Sequence, residues 1–453
     1  MIRVRGGGRR LRAGALLLLA WGMAWGQERA QPEASTGWGE VSQAEGRRRM
    51  VVTANPHASR AALDILRAGG SAVDAAIAAQ MVLNLVEPQS SGIGGGAFLV
   101  VYRADQRRVQ AYDGRETAPA AVGANLFVDP QGRPEDFRSM VASGRAVGVP
   151  GLLRALELAH RAHGHLPWAR LFQPAIDLAE AGFPVSARLH QLLARDEALR
   201  LDPAARQFFY LPDGQPLPVG ATLRNPALAA TLGRVAAGGA DAFYRGPLAA
   251  AVVAAVGGHA RPGRLSPADL ANYRALEVAP LCRPYRGLRV CAPPPPAGGV
   301  TLLQLLGLLE RFDLAQVRPG SAFFAHLFSE AGRLAYADRE RYLADPAAAP
   351  VPVAGLLARD YLAERAATIA LDASRGPGRP GLPAGAFPAG AAGASPERPS
   401  TSHLSIVDPA GNGVAMTSSI EDAFGSRILV EGFLLNNQLT DFSFSAGVVN
   451  APG

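Results

Sequence analysis

A chain of 453 residues, 48% hydrophobic and 18% charged, holds ample apolar surface for a buried core, and disorder over most of its length is excluded. All 45 basic residues are arginine; the lack of lysine removes P-loop NTPases, pyridoxal-phosphate enzymes, Schiff-base aldolases, protein kinases and Ser-x-x-Lys acylases, each of which needs a lysine amine. The net charge of +7 is spread as single arginines among acids rather than striped, so no nucleic-acid partner is expected.

The chain opens as an export leader. Arg3, Arg5, Arg9, Arg10 and Arg12 form a cationic start, and Ala13 to Ala24 an apolar stretch too short to span a bilayer. Ala24 and Gly26 are the small residues ahead of a cleavage point before Gln27. A signal peptide over residues 1–26 sets the expected location as periplasmic or secreted. Residues 27–46 are polar and form a tether.

The folded body begins with the strand-like run Met50-Val51-Val52-Thr53-Ala54. The spacing predicts a helix from about His57 to Gly69-Gly70, where glycine accepts the left-handed conformation. Ser71-x-x-Asp74 has the form of a capping box for the next helix. There Val73, Ile77, Met81 and Leu85 recur every four residues among alanines, as in a helix buried on most sides. Glu87-Pro88 ends it. Alternating runs at 97–102 and 108–112 read as a hairpin.

From 148 to 370 amphipathic helices predominate, at 151–163, 174–182, 225–237, 247–256, 301–311 and 321–343. His160, His163 and His165 lie at a helix end without a carboxylate or Cys of suitable spacing, so no metal is expected. Cys282 and Cys291 flank a turn at Pro284 and Gly287; they either pair in an oxidising compartment or remain two buried thiols.

Residues 376–400 are rich in Gly and Pro and read as an exposed linker. After it the period changes from 3.6 to 2. Residues 402–407, a turn at 408–412 and residues 414–418 make a hairpin. An α-rich stretch, a linker and an abrupt β start on the hydroxyl-bearing Thr401 together read as a processing site.

Across residues 50 to 453 the sequence resembles the γ-glutamyltransferases (γ-glutamyl transpeptidases). The resemblance rests on Thr53-Ala54-x-Pro56, Gly69-Gly70-Ser71-Ala72-Val73-Asp74-Ala75-Ala76, Gly92-Ile93-Gly94-Gly95-Gly96, Asp113-Gly114-Arg115-Glu116-Thr117-Ala118-Pro119, Pro293-Pro294-Pro295, Thr401-x-His403 and Leu435-Asn436-Asn437-Gln438-x-x-Asp441-Phe442. It implies an α+β fold, the four-layer αββα sandwich of N-terminal-nucleophile hydrolases. It also implies that one precursor cuts itself between Ser400 and Thr401 into a large subunit (47–400) and a small one from Thr401 onward.

By the same resemblance Thr401 is the nucleophile and Ser419 the hydroxyl that hydrogen-bonds it. Arg115 binds the donor's α-carboxylate. Gln438 and Asp441 stand at its α-amino group, and Glu421 matches a position that is Asn in some members and Glu in others. Asn436 and Asn437 are expected to hold their loop, and Gly94-Gly95-Gly96 to mark close backbone packing. The implied substrates are γ-glutamyl donors such as glutathione, with water, amino acids or dipeptides as acceptors and no cofactor.

The chemistry of the residues agrees. A threonine hydroxyl needs a base; a cut before Thr401 frees its α-amino group, of pKa roughly 7.7–8.0, which serves. Cephalosporin (glutaryl) acylases and poly-γ-glutamate depolymerases share the scaffold and are the alternatives. Family members continue beyond Gly453, with a Ser-Ser-Met segment and a Gly-Gly oxyanion donor. The chain is therefore expected to be C-terminally truncated, its sheets incomplete and its 53 residues from Thr401 onward too few for a working small subunit. An inert exported protein is the rival reading from another class.

Overall fold

The computed structural model describes residues 43–386, 400–442 and 444; the expected signal peptide lies outside them. β1 (Met50–Val52) leads into α1 (Pro56–Arg67), where Asn55 caps the helix by accepting the His57 N–H and Pro56 occupies a first-turn position that needs no N–H. Gly69, with φ of +89°, turns the chain out of the helix. Ser71 and Asp74 form the reciprocal capping box that starts α2 (Ala72–Val86), every residue of which is buried. Its four-residue apolar spacing, padded by alanine, suits a helix surrounded by protein.

The hairpin β2 (Gly96–Arg103) and β3 (Arg108–Gly114) follows. The long helices come next: α3 (Leu152–His163), α4 (Gln173–Ala181), α5 (Ala187–Arg195), α6 (Pro226–Gly238) and α7 (Gly246–Gly257). After β4 (Leu276–Val278), the hairpin β5 (Leu281–Tyr285) and β6 (Leu288–Ala292) precedes α8 (Gly299–Leu309), α9 (Ala322–Tyr342) and α10 (Arg359–Ala367). The chain then returns to the sheet through β7 (Thr401–Val407) and β8 (Gly413–Ser419), followed by the short β9 (Leu429–Val430) and β10 (Phe433–Leu434).

Six strands join in the order β1–β7–β8–β2–β3–β4, every neighbouring pair antiparallel. The period-2 pattern sets which side packs. Ser402, Leu404 and Ile406 point inward, whereas Thr401, His403, Ser405 and Val407 alternate outward. Leu404, Ile406, Val414 and Met416 join Ile77, Met81 and Leu85 in one apolar core that extends to α3 and α4. A second, smaller core gathers Leu305, Leu308, Leu327, Leu334 and Leu362 from α8, α9 and α10. The architecture is α+β. Of the four expected layers, the described residues supply one large sheet and its helical cover; the other sheets have two strands each.

Three expectations are refined. Cys282 and Cys291 stand directly opposite in the β5–β6 register and are disulfide-bonded. The linker is not free along its whole length. The Gly381 N–H donates to Asp338 Oδ1 at 2.8 Å and the Tyr342 hydroxyl to the Gly381 carbonyl at 2.6 Å, and Ser400 is only 2% exposed. Polar contacts hold this stretch, and Ala386 packs against the small apolar cluster of Val300, Tyr342 and Leu356. Thirdly, a carboxylate does lie beside the histidines. Asp74 Oδ1 is 3.5 Å from His160 Nε2, brought by α2 from 86 positions earlier in the chain. Even so, no group of three metal-ligating side chains occurs among the described residues.

Candidate active site

The first strand residue, Thr401, sits opposite the last residue of its partner strand, Ser419. This register brings two hydroxyls to one end of the sheet. Thr401 Oγ1 lies 3.5 Å from Ser419 Oγ, a long contact. Ser419 Oγ donates to the Ser400 carbonyl at 3.1 Å and accepts the Glu421 N–H at 2.9 Å. The Ser400 carbonyl is thus polarised by the same hydroxyl that neighbours Thr401 Oγ1. Thr401 is exposed, and Ser400 is buried behind it.

Four charged or amide side chains collect beside this end. Arg115 follows β3, Glu421 the β8 strand, and Gln438 and Asp441 share a single turn of 3-10 helix. Arg115 Nη2 is 2.6 Å from Asp441 Oδ2. Gln438 Nε2 donates to Asp441 Oδ2 at 2.7 Å and to Glu421 Oε2 at 3.0 Å. Arg115 pairs with neither Glu116 nor Asp113 through its guanidinium; Asp113 Oδ1 takes only the Arg115 backbone N–H. Burial opposes the Arg115 charge, but the pull of Asp441, Glu116 and Glu421 outweighs it and holds the guanidinium protonated.

The carboxyls behave differently. Burial, reinforced by the charge of Asp441, pushes Glu421 well above the usual carboxylate range. Glu116, next to Arg115 in sequence, is pushed up to about 7, again chiefly by burial. Its Oε1 is buried without a hydrogen-bond partner. The cluster therefore sets the Arg115–Asp441 pair beside two carboxyls whose burial favours the protonated form.

The frame around these residues is backbone. A Cβ on Gly94 would strike the Leu434 carbonyl, and one on Gly95 the Ser419 carbonyl; the glycine run is a close-packing device, as expected. Asn436, fully buried, donates through Nδ2 to the Gly94 and Gly148 carbonyls and accepts the Gly148 and Gln438 N–H groups through Oδ1. Asn437 Oδ1 accepts the Asp422 N–H. Both hold the loop, and Glu421 is fixed in it at φ of +80°.

Sequence reasoning missed the turn behind Ser400. Gln89, Glu87 and Arg188 are hydrogen-bonded there through Gln89 Nε2 to Glu87 Oε2 at 2.5 Å and Arg188 Nη1 to Glu87 Oε2 at 3.0 Å. The signal available was a cluster of polar residues, Glu87, Gln89, Ser90 and Ser91, just after a largely apolar helix.

The model for gamma-glutamyltranspeptidase matches residues 58–452. A glutathione hydrolase proenzyme from Bacillus subtilis is 37% identical over 96% of this chain and 75% of its own length. Among solved structures, a gamma-glutamyltranspeptidase from Helicobacter pylori is 31% identical with a TM-score of 0.69, over 73% of this chain and 95% of the matched one. A cephalosporin acylase from Bacillus halodurans is 29% identical with a TM-score of 0.76, over 94% and 76%. With motif order, fold and a match of this extent in agreement, the chain belongs to the gamma-glutamyltranspeptidase family.

Proposed function

We propose that the protein is an exported γ-glutamyltransferase and glutathione hydrolase that matures by cutting itself before Thr401. The hydroxyl chain Thr401–Ser419–Ser400 carbonyl carries this reading. The Thr401 oxygen attacks the Ser400 carbonyl carbon, the C–N bond breaks, and the departing nitrogen takes the hydroxyl proton to become an amine. Water then opens the ester, leaving a carboxylate on Ser400 and a free hydroxyl on Thr401. The new α-amino group serves as base in turnover, where Thr401 takes the γ-glutamyl group and water or an amine receives it. Residues 47–400 become the large chain, the segment from Thr401 the small one, and the signal peptide directs both to the periplasm or beyond.

The Arg115–Asp441 pair suits an amino-acid head. A zwitterion entering between them exchanges one ion pair for two, its carboxylate on Arg115 and its ammonium on Asp441, with Gln438 and Glu421 alongside. A glutaryl group has no ammonium to replace the Arg115 charge at Asp441, which would be left with its Gln438 contact, so γ-glutamyl donors are favoured over the acylase alternative.

The test is direct. In the full chain Thr401→Ala should remain one uncut polypeptide on a denaturing gel, and the wild type should give two chains whose junction, by mass, is Ser400/Thr401. The cut protein should release chromophore from a γ-glutamyl anilide at least tenfold faster than from the glutaryl analogue. Two chains from the alanine variant would remove Thr401 as nucleophile, and a preference for the glutaryl compound would reverse the donor assignment.

A further inference from the structure

Ser400 is more than the residue that happens to precede the cut. Its side chain, on the buried side of the strand end, donates through Oγ to the Gln89 carbonyl at 2.8 Å. That same carbonyl accepts the Phe424 N–H at 3.1 Å, and Phe424 lies in the loop that carries Glu421. The Gln89 carbonyl is itself fixed. The turn bearing it follows α2, with the Ser90 and Ser91 N–H groups on the Glu87 carbonyl. The Glu87 carboxylate accepts from Asn55 Nδ2 at 2.8 Å, Gln89 Nε2 and Arg188 Nη1.

A second arm ties the turn to the opposite strand. Gln80 of α2, fully buried, donates to Ser91 Oγ at 3.2 Å and accepts from Ser418 Oγ at 2.6 Å. Ser418 directly precedes Ser419, whose hydroxyl holds the Ser400 carbonyl. The residue before the cut is consequently gripped twice: its carbonyl oxygen by Ser419 on β8, its hydroxyl by the α2 turn.

We propose that the Ser400 hydroxyl is a positioning group for self-cleavage, an inference that rests on the self-cleaving reading above. Two hydrogen bonds on one residue fix the rotation about its Cα–C bond and so the face its carbonyl shows to Thr401 Oγ. With the hydroxyl removed, the carbonyl is held at one point only, and fewer of its orientations expose the carbon to attack. The Gln89 carbonyl keeps its Phe424 partner, so the loop that carries Glu421 is not released by the change.

The experiment follows cutting of freshly purified full chain over time on denaturing gels for the wild type and for Ser400→Ala, Ser400→Thr and Ser400→Val. Threonine and valine have the same shape and differ in the hydroxyl, which separates the hydrogen bond from packing. Ser400→Ala and Ser400→Val should cut about tenfold more slowly than the wild type, the size expected for one lost hydrogen bond. Ser400→Thr should cut clearly faster than Ser400→Val, with melting temperatures of the two uncut proteins alike in the Thr401→Ala background. Equal rates for threonine and valine, or an alanine variant as fast as the wild type, would overturn the positioning role while leaving Thr401 in place. A wild type that never breaks at Ser400/Thr401 would instead sink the self-cleaving reading and this inference with it.

Discussion

At the scale of single residues, Glu116 sits in an environment that its neighbours in sequence do not suggest. It sits one position after Arg115, yet burial raises its carboxyl to about 7 and leaves one oxygen unpaired. A carboxyl raised from its ordinary value near 4.5 stabilises the fold fully below that value and loses the contribution as the pH climbs through about 7. Glu116→Gln fixes the neutral form. Its melting temperature should therefore rise relative to the wild type between about pH 5 and pH 8, by a few degrees, and level off above that. A difference that stays flat across this range would mean that Glu116 is ionised throughout. Little of this was legible beforehand. Arg115, Asp441 and Thr401 stood out because their motifs are local, whereas the Glu116 environment and the Ser400–Gln89 bond depend on residues hundreds of positions apart.

Elements were far more legible. The capping box at Ser71 and Asp74, the alanine-padded α2 and the alternating strands around 408–412 are patterns written within a few residues, and the structure has each of them. Strand ends shifted by a residue or two, because Thr401 and Ser419 extend the β7–β8 ladder as far as the Gly96 partner allows. The β5–β6 hairpin illustrates the opposite case. Spacing alone left the cysteines either paired or free, and the register decided it by setting them across from each other. Closing a loop of this length should contribute about 2–3 kcal/mol through the unfolded chain. Cys282→Ala with Cys291→Ala, or the wild type under reductant, should lose that amount in denaturant unfolding. Amide exchange should quicken in residues 281–309, where the hairpin lies against α8, and stay unchanged in α2. No change on reduction would show that the hairpin is held by packing alone.

For the molecule as a whole, the strand order has a consequence for what a cut at Thr401 produces. Along the sheet, β1 comes from the segment before the cut, β7 and β8 from the segment after it, and β2, β3 and β4 from before it again. A cut there would leave two pieces shuffled together like cards, with ladders of main-chain hydrogen bonds on both borders of the inserted pair. Parting the pieces would require breaking two antiparallel seams and opening the apolar core beneath. The cut protein should thus elute as one species in gel filtration even at nanomolar concentration and come apart only in denaturant. Elution as two separate chains under native conditions would contradict this interleaving. Partners joined in this way never have to find each other. Their stoichiometry would be set at the moment of synthesis, and a small chain supplied later from outside would find no vacant berth, because its place lies between β1 and β2.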